Sequence, residues 1–450
     1  MTLTILNPAT EEPIAELEQA GLEEADEAVA RAKEAYPAWR EVAPADRARL
    51  LRRVATLVEE NAEELAQIES RNVGKPISGA RGEIGMVAQV FHFYAGAVDK
   101  HYGHTIPATE GEAMTFREPL GVVGLIVPWN FPLNIASWKL GPALACGNTV
   151  VLKPAELTPL SALRLAELVL EAGIPEGVVN VLVGKGSVVG QRLIERSDVA
   201  KIGFTGSTEV GRLVMQGAAG TIKRVTLELG GKSANVIFED ADLERAAASA
   251  PYAVFDNAGQ DCCARSRILI QKSVYDRFLE DLVEATKGVK VGDPSDESTE
   301  MGPLISAEHR ETVASFVDRE PVFRGDAPDE GGFWFPCTIV EATNDDRVAR
   351  EEVFGPVAAV IPFEDEADAV RIANDTPYGL SGSIWTRDGA RALRVARALD
   401  TGVLSVNSNS SVRVQTPFGG FKQSGFGREL GMQGLDGYSE VKTVFISTEH

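Results

Sequence analysis

Short runs rich in β-branched residues alternate with longer helical segments between residues 120 and 230, and this alternation constrains the fold more than any other feature. Apolar residues recur at helical spacing in segments 161–173 and 207–220. Regular alternation of strand and helix predicts a parallel sheet with helices on both faces, the α/β class. Ligands of such sheets bind at the carboxyl ends of the strands. The predicted strands are 122–127, 149–153, 178–183, 201–204 and 224–229.

A second alternation of strand and helix follows residue 265 and predicts a second α/β unit. Before the first alternation, residues 22–71 predict two helices broken at Pro37 and Pro44. The closing run, 439–448, predicts a strand with no later partner, so it needs an edge on another domain or subunit. The second unit contains predicted strands at 266–271, 358–363 and 381–386 and predicted helices at 273–287 and from residue 366.

The acidic balance of the chain argues against two classes of partner. Its 66 acidic and 44 basic residues give a net charge of -22, which repels phosphate backbones and anionic lipid. We therefore expect no nucleic-acid and no membrane role. Four cysteines without framework spacing indicate a reducing compartment, and five scattered histidines lack metal-ligand spacing, so no metal is expected. Without a basic leader or a membrane-length apolar run, the protein is expected to be cytoplasmic.

A thiol and a carboxylate lie on neighbouring turn-rich segments. Cys262 and Cys263 follow a Gly-Gln-Asp step, and Glu228 stands between two leucines ahead of a Gly-Gly pair. A cysteine can act as nucleophile, and a desolvated glutamate can act as base near neutral pH. Most free cysteines are inert buried side chains, however. From these residues alone, both interpretations of Cys262 stay open.

Three groups are predicted at the carboxyl ends of the strands. Asn130 follows the first strand, and its fixed amide can donate a hydrogen bond to a developing oxyanion. Lys153 and Glu156 can bracket the two hydroxyls of a ribose, and Glu156 would repel a 2′-phosphate, which favours NAD over NADP. Gly206 and Ser207 open a helix whose N–H groups can bind a pyrophosphate. An exposed ion pair and a plain turn are the alternatives for the last two groups.

Seven motifs occur in a characteristic order over almost the whole chain. They are PWNFP, LKPAE, FTGS, LELGGKS, GQDCCA, EEVFGP and PFGGFKQSGFGRELG. In these motifs the chain resembles the aldehyde dehydrogenase superfamily. The resemblance implies Cys262 as nucleophile, Glu228 as base and Asn130 as oxyanion donor. It also implies a proton path through Lys139 and Glu429. The cofactor residues it implies are Trp129, Lys153, Glu156, Gly206, Ser207, Glu352 and Phe354.

The resemblance further implies two Rossmann-like domains and a small β oligomerisation arm. The NAD-binding domain would comprise residues 1–100 and 120–231, and the catalytic domain 232–425. Residues 101–119 and 437–450 would form the arm of a homodimer or homotetramer. The chain departs from the family in two places, because the usual N-terminal β-hairpin residues are lacking and segment 319–335 is short.

The implied reaction is the oxidation of a small-molecule aldehyde to its acid through a Cys262 thiohemiacetal and thioester, which Glu228 then hydrolyses by activating water. A cofactor-independent thiol esterase using Cys262 is the alternative enzyme. A non-catalytic relative would be expected to lack Cys262 or Glu228. A coenzyme-A-dependent acylating enzyme is disfavoured because it would not need Glu228.

The substrate is the least determined feature of the sequence. Asp261 adjoins the nucleophile and would attract an ammonium group, while Trp138 could add a cation–π contact. These residues favour an ω-aminoaldehyde. Arg413, which precedes the PFGG motif, instead favours a carboxylated aldehyde such as succinic semialdehyde. Phe131 and Phe418 are the further predicted wall residues, and a pair between Asp261 and Arg413 would select nothing.

Overall fold

The structure is a computed structural model that describes residues 2–410 and 412–449. The strands in chain order are β1 (Thr2–Leu6), β2 (Pro13–Glu18), β3 (Thr105–Ala108), β4 (Gly111–Pro119), β5 (Val122–Ile126), β6 (Thr149–Lys153), β7 (Val179–Val181), β8 (Val199–Thr205), β9 (Arg224–Glu228), β10 (Ala234–Ile237), β11 (Arg267–Gln271), β12 (Phe323–Arg324), β13 (Thr338–Glu341), β14 (Val357–Phe363), β15 (Ser381–Trp385), β16 (Val403–Val406), β17 (Gly425–Phe426) and β18 (Ser439–Ser447). The helices are α1 (Leu22–Arg40), α2 (Pro44–Glu60), α3 (Ala62–Val73), α4 (Ile77–Ala97), α5 (Pro132–Ala145), α6 (Leu160–Glu171), α7 (Gln191–Glu195), α8 (Thr208–Ala219), α9 (Leu243–Phe255), α10 (Tyr275–Lys287), α11 (Ala307–Ala314), α12 (Arg347–Arg350), α13 (Glu366–Asn374), α14 (Gly389–Ala398) and α15 (Gln433–Asp436).

The first predicted alternation forms a six-stranded sheet in the order β17-β9-β8-β5-β6-β7. Strands β5 to β9 pair in parallel, and β17 adds to β9 in the antiparallel direction. Every residue of β5 and β6 is buried, which explains why these strands are continuously apolar rather than alternating. The predicted parallel α/β arrangement is confirmed here.

The second alternation forms a seven-stranded sheet in the order β12-β13-β14-β11-β10-β15-β16. Its pairs are parallel except for β12 with β13. The sheet recruits β10, β13 and β16, for which the sequence analysis predicted no strand. Each of the three has only four residues, so local pattern carries little signal.

The closing strand β18 pairs with β4 over nine residues and belongs to a three-stranded sheet in the order β18-β4-β3. The edge that β18 needs is therefore provided by residues 111–119 of the same chain. Its opposite edge has no partner strand among the described residues. Val441 and Phe445 on β18 are exposed.

Three local predictions were wrong. The second helix predicted within residues 22–71 is divided at Asn61 into α2 and α3. Helix α1 continues past Pro37, because a proline in the last turn deletes only one intrahelical hydrogen bond. The chain also has an N-terminal hairpin, in which β1 pairs with β2 in the antiparallel direction. No helix within 2–410 or 412–449 is both long and apolar enough to cross a membrane.

Candidate functional site

A cavity of about 690 Å³ lies at the carboxyl ends of β5, β6, β8 and β9. Its walls contain residues from all of the motif segments that follow these strands, together with Cys262. The location is the one that the α/β fold predicts for a ligand. The lining includes Trp129, Asn130, Phe131, Lys153, Glu156, Gly206, Ser207, Glu228, Cys262, His309, Glu352 and Phe354.

Cys262 follows a tight turn of unusual backbone conformation. Asn257 and Ala258 have φ values of 49° and 56°, and Gly259 has a φ of 70°. A side chain at Gly259 would lie 2.2 Å from the carbonyl oxygen of Gly355, so only glycine fits there. Such strained turns recur at functional sites.

The thiol of Cys262 is close to two other polar groups. The Asp261 carboxylate and the Sγ atoms of Cys262 and Cys263 lie within 4.8 Å of one another. The neighbouring Cys263 side chain, and then burial, raise the pKa of the Cys262 thiol well above its ordinary value. Asp261 Oδ1 accepts the backbone N–H of Cys263 at 2.8 Å, which fixes the direction of its carboxylate. The resting nucleophile is therefore a neutral thiol.

Asn130 is held on both its side chain and its backbone. Its Nδ2 donates to the carbonyl of Gln260 at 2.8 Å. Its own carbonyl accepts from Asn257 Nδ2 at 3.1 Å and from Lys75 Nζ at 3.1 Å. The amide group retains one N–H that is not used by Gln260, and the residue lines the cavity beside Cys262.

Glu228 ends β9 and is buried, with 4% of its surface exposed. Neither of its carboxylate oxygens has a hydrogen-bond partner among the described residues. Burial, followed by the nearby Glu429 carboxylate, raises the pKa of Glu228 well above 4.5. An unpaired buried carboxylate with a raised pKa is the property expected of a general base.

Lys139 of α5 forms a fully buried ion pair with Glu429. Both charges act on Glu228, because Glu429 raises the pKa of its carboxyl group and Lys139 lowers it. One carboxylate oxygen of Glu429 pairs with Lys139 Nζ, while the other has no hydrogen-bond partner among the described residues. The structure thus brings the Lys139–Glu429 ion pair, which is not part of the described lining, close to the Glu228 carboxylate in the cavity wall.

The groups expected to bind a ribose lie together. Glu156 Oε2 is 3.9 Å from Lys153 Nζ and accepts the N–H of Gly186 at 3.4 Å. Lys153 is buried, which lowers the pKa of its ammonium group. Gly186 lies in the loop that follows β7, for which the sequence indicated no ligand. Both it and Ser187 line the cavity.

The helix expected to bind a pyrophosphate begins at the cavity. Ser207 caps α8, and its Oγ accepts the N–H of Val210 at 3.2 Å. Gly206 and Ser207 both line the cavity, so the positive end of the α8 dipole faces it. Ser207 Oγ accepts in this capping hydrogen bond, so its O–H can still donate to a ligand.

An aromatic cluster closes the cavity near Glu352. The rings of Trp129, His309 and Phe354 have centroid distances of 5.3 to 6.1 Å. His309 Nε2 donates to the carbonyl of Phe354 at 2.7 Å and supports its left-handed backbone, with a φ of 55°. Glu352 Oε1 accepts the N–H of Gly231 at 2.9 Å. His309 gives no signal in the sequence, because a single histidine on a helix forms no pattern.

The five predicted substrate residues do not all line the cavity. Phe131 does, whereas Trp138, Asp261, Arg413 and Phe418 are absent from the described lining. Trp138 and Phe418 are buried against each other, with ring centroids 5.1 Å apart. Arg413 is exposed and donates to the carbonyl of Ser410 at 3.0 Å.

Several known proteins are similar to this chain in sequence and in architecture. The pattern of the aldehyde dehydrogenase family matches residues 1–444. The betaine aldehyde dehydrogenase of Bacillus subtilis (strain 168) is 42% identical over 461 residues, covering 99% of this chain and 94% of that protein. The NAD+ complex of an aldehyde dehydrogenase from Bacillus cereus superposes with a TM-score of 0.98, 41% identity, and coverage of 100% and 94%. The NAD+ complex of betaine aldehyde dehydrogenase from Staphylococcus aureus superposes with a TM-score of 0.97, 38% identity, and coverage of 100% and 92%. The chain therefore belongs to the aldehyde dehydrogenase family.

Proposed function

We propose that the protein oxidises an aldehyde to its carboxylic acid with NAD, using Cys262 as nucleophile. One observation carries the proposal: a thiol, an amide donor and a carboxylate with free oxygens line a single cavity. These are the groups that acyl transfer to water requires, and they belong to Cys262, Asn130 and Glu228.

The residues at the other end of the cavity fit a nicotinamide dinucleotide. Glu156 and Lys153 suit a ribose, and the start of α8 suits a pyrophosphate. A side chain at Gly230 would lie 2.1 Å from Glu352 Oε2, so the glycine keeps the space beside this carboxylate open. When bound, NAD supplies the hydride acceptor. The NAD+ complexes of the relatives from Bacillus cereus and Staphylococcus aureus support this choice of cofactor.

The chemistry of the chain's own residues follows from their environments. Cys262 must pass its proton to water in the cavity before Sγ attacks the carbonyl carbon, because the neighbouring Cys263 side chain and burial raise the pKa of the resting thiol. The free N–H of Asn130 Nδ2 and the backbone N–H of Cys262 donate to the resulting oxyanion. After oxidation, Glu228 takes a proton from the water that attacks the thioester. The pair of Lys139 and Glu429 offers that proton its next acceptor.

We further propose a substrate with a cationic end, such as an ω-aminoaldehyde or a trimethylammonium aldehyde. Asp261 lies outside the described cavity lining but directly precedes the nucleophile, so its carboxylate would attract such a group by charge rather than by contact. The relatives from Bacillus subtilis and Staphylococcus aureus are named betaine aldehyde dehydrogenases, which is consistent with this class. Arg413 is exposed, and its side chain bonds locally, which weakens the alternative of a carboxylated aldehyde.

The domain roles complete the proposal. The unit containing the six-stranded sheet, residues 1–100 and 120–231, would bind NAD. The unit containing the seven-stranded sheet, 232–425, would carry the thiol. Residues 101–119 and 437–450 would form the oligomerisation arm, because β18 exposes apolar side chains beside an edge without a described partner strand.

The test compares kcat/KM for 4-aminobutanal, betaine aldehyde and succinic semialdehyde, with NADH formation followed by absorbance. We expect the two cationic aldehydes to be preferred and Asp261→Asn to reduce that preference. The asparagine is a matched change, because its Oδ1 can still accept the Cys263 N–H. A preference for succinic semialdehyde that Arg413→Ala removes would contradict the substrate class. Ester hydrolysis without any NADH formation would contradict the dehydrogenase proposal.

A further inference from the structure

Lys75 lies in the short link between α3 and α4 and has 2% of its surface exposed. No motif in the sequence pointed to this residue, yet its ammonium group lies behind the loop that contains Asn130. Its Nζ donates to the two carboxylate oxygens of Glu83 at 2.8 and 2.6 Å and lies 3.6 Å from Glu69 Oε2. A buried lysine must be paired, and here α3 and α4 each supply one carboxylate.

The same ammonium group contacts two consecutive residues of the cavity wall. It donates to the carbonyl of Asn130 at 3.1 Å, and it lies 4.5 Å from the centroid of the Phe131 ring. Glu69 extends the contact to the next helix, because its Oε1 accepts the N–H of Leu133 at 3.3 Å. Leu133 provides the first free N–H of α5, since Pro132 has none.

We infer that Lys75 is a positioning residue for the oxyanion donor, a role that rests on the proposed function of Asn130. The carbonyl of Asn130 is held by Lys75 and by Asn257, while its side-chain amide is held by Gln260. Asn257 and Gln260 belong to the turn that carries Cys262. Lys75, which is not part of the described cavity lining, therefore holds the donor loop in place beside the hydrogen bonds that tie this loop to the nucleophile turn.

The effect of Lys75 depends on where it holds Asn130, not on its positive charge alone. The donor N–H of Asn130 must lie within hydrogen-bond distance of an oxyanion that exists only during the reaction. Displacement of a catalytic group by about 1 Å can cost ~10²-fold in rate. Removal of Lys75 would leave the Asn130 carbonyl with Asn257 as its remaining described donor and would leave the carboxylates of Glu69 and Glu83 without their shared cation, so we expect the loop to shift.

The test is a double-mutant cycle between Lys75→Met and Asn130→Ala, with the single-turnover rate of NADH formation as readout. We expect Asn130→Ala to slow hydride release by ~10²–10³-fold and Lys75→Met by ~10²-fold. The double variant should be no slower than Asn130→Ala alone, because a misplaced donor and a missing donor are equivalent. The affinity for NAD, measured by direct titration, should be unchanged in all three variants.

Arg81→Met is the matched control, since Arg81 lies on α4 and pairs with Glu63 and Glu297 at the surface. It should retain the parent rate, and an equal loss in this variant would overturn the inference. Multiplying effects of Lys75→Met and Asn130→Ala would also overturn it. If Lys75→Met does not fold, Lys75→Met with Glu83→Gln replaces it in every arm and is subject to the same criteria. A normal rate in Asn130→Ala would instead contradict the proposed function itself.

Discussion

Glu228→Gln should separate the two halves of the reaction. The amide has the shape of the carboxylate but cannot accept a proton from water, so hydrolysis of the thioester loses its base. General-base catalysis typically contributes ~10²–10⁴-fold, and we expect the steady-state rate to fall by that factor. Thiol attack and hydride release do not need this base in the same way, so the first turnover should remain fast.

The stability of this variant can also be worked out from the structure. Neither oxygen of Glu228 makes a hydrogen bond in the described structure, so the substitution breaks none. Folding raises the pKa of Glu228 above its ordinary value of 4.5, so the folded protein favours the protonated carboxyl group. The stability that this protonated group contributes is fully present below pH 4.5 and is lost as the pH rises through the folded-state pKa. The glutamine lacks this loss. The melting temperature of Glu228→Gln should therefore gain on that of the parent as pH rises.

Stopped-flow measurement of NADH formation provides the assay. The variant should release a burst of one NADH per active site and then stall. Glu352→Gln is the control, because it removes another buried carboxylate of the same cavity but on the proposed cofactor side. It should slow hydride release and therefore give no burst. Linear turnover of Glu228→Gln at the parent rate would refute the assignment of the base.

Three further changes have expected outcomes. Glu156→Thr should reduce the preference for NAD over NADP, because the carboxylate beside Lys153 would no longer repel a 2′-phosphate. The ratio of the kcat/KM values for the two cofactors measures the preference, and a parent enzyme that already prefers NADP would contradict the ribose assignment. Cys263→Ala should lower the pKa of the neighbouring Cys262 thiol, since the side chain that contributes most to raising that pKa is removed. The pH at which iodoacetamide alkylates Cys262 should fall, and an unchanged pH profile would contradict this cause. Phe445→Glu on the exposed face of β18 should shift the assembly toward monomers in light scattering, and an unchanged mass would exclude this strand from the interface.

The sequence predicted those parts of the fold that local pattern determines. The strands near 122–127 and 149–153 could be predicted because short runs of β-branched residues between turn residues strongly favour the β conformation. The hairpin of β1 and β2 was missed because its residues are mostly exposed and mixed in character. Helix α1 continues through Pro37 because this proline lies in the last turn of the helix. The position of a helix end cannot be read from the proline alone.

In the candidate site, too, residues in local motifs could be predicted, whereas residues that depend on tertiary contacts could not. Cys262 and Glu228 belong to motifs that are local in sequence, so their segments could be identified without coordinates. Lys75 could not, because its importance comes from contacts with Glu83 and Asn130, which are remote from one another in the chain. The burial of Trp138 also depends on tertiary packing, and an aromatic residue has the same sequence signature in a core as in a binding wall.

Identification of the acylated residue tests the central claim most directly. Glu228→Gln should be mixed with NAD and an aldehyde substrate, quenched in acid after the burst, and analysed by peptide mass spectrometry. We predict that the acyl group is found on Cys262, in an amount equal to the burst, and that Cys262→Ser in the same background carries none. An acyl group on Cys263, or a full burst without any acylated cysteine, would contradict the account.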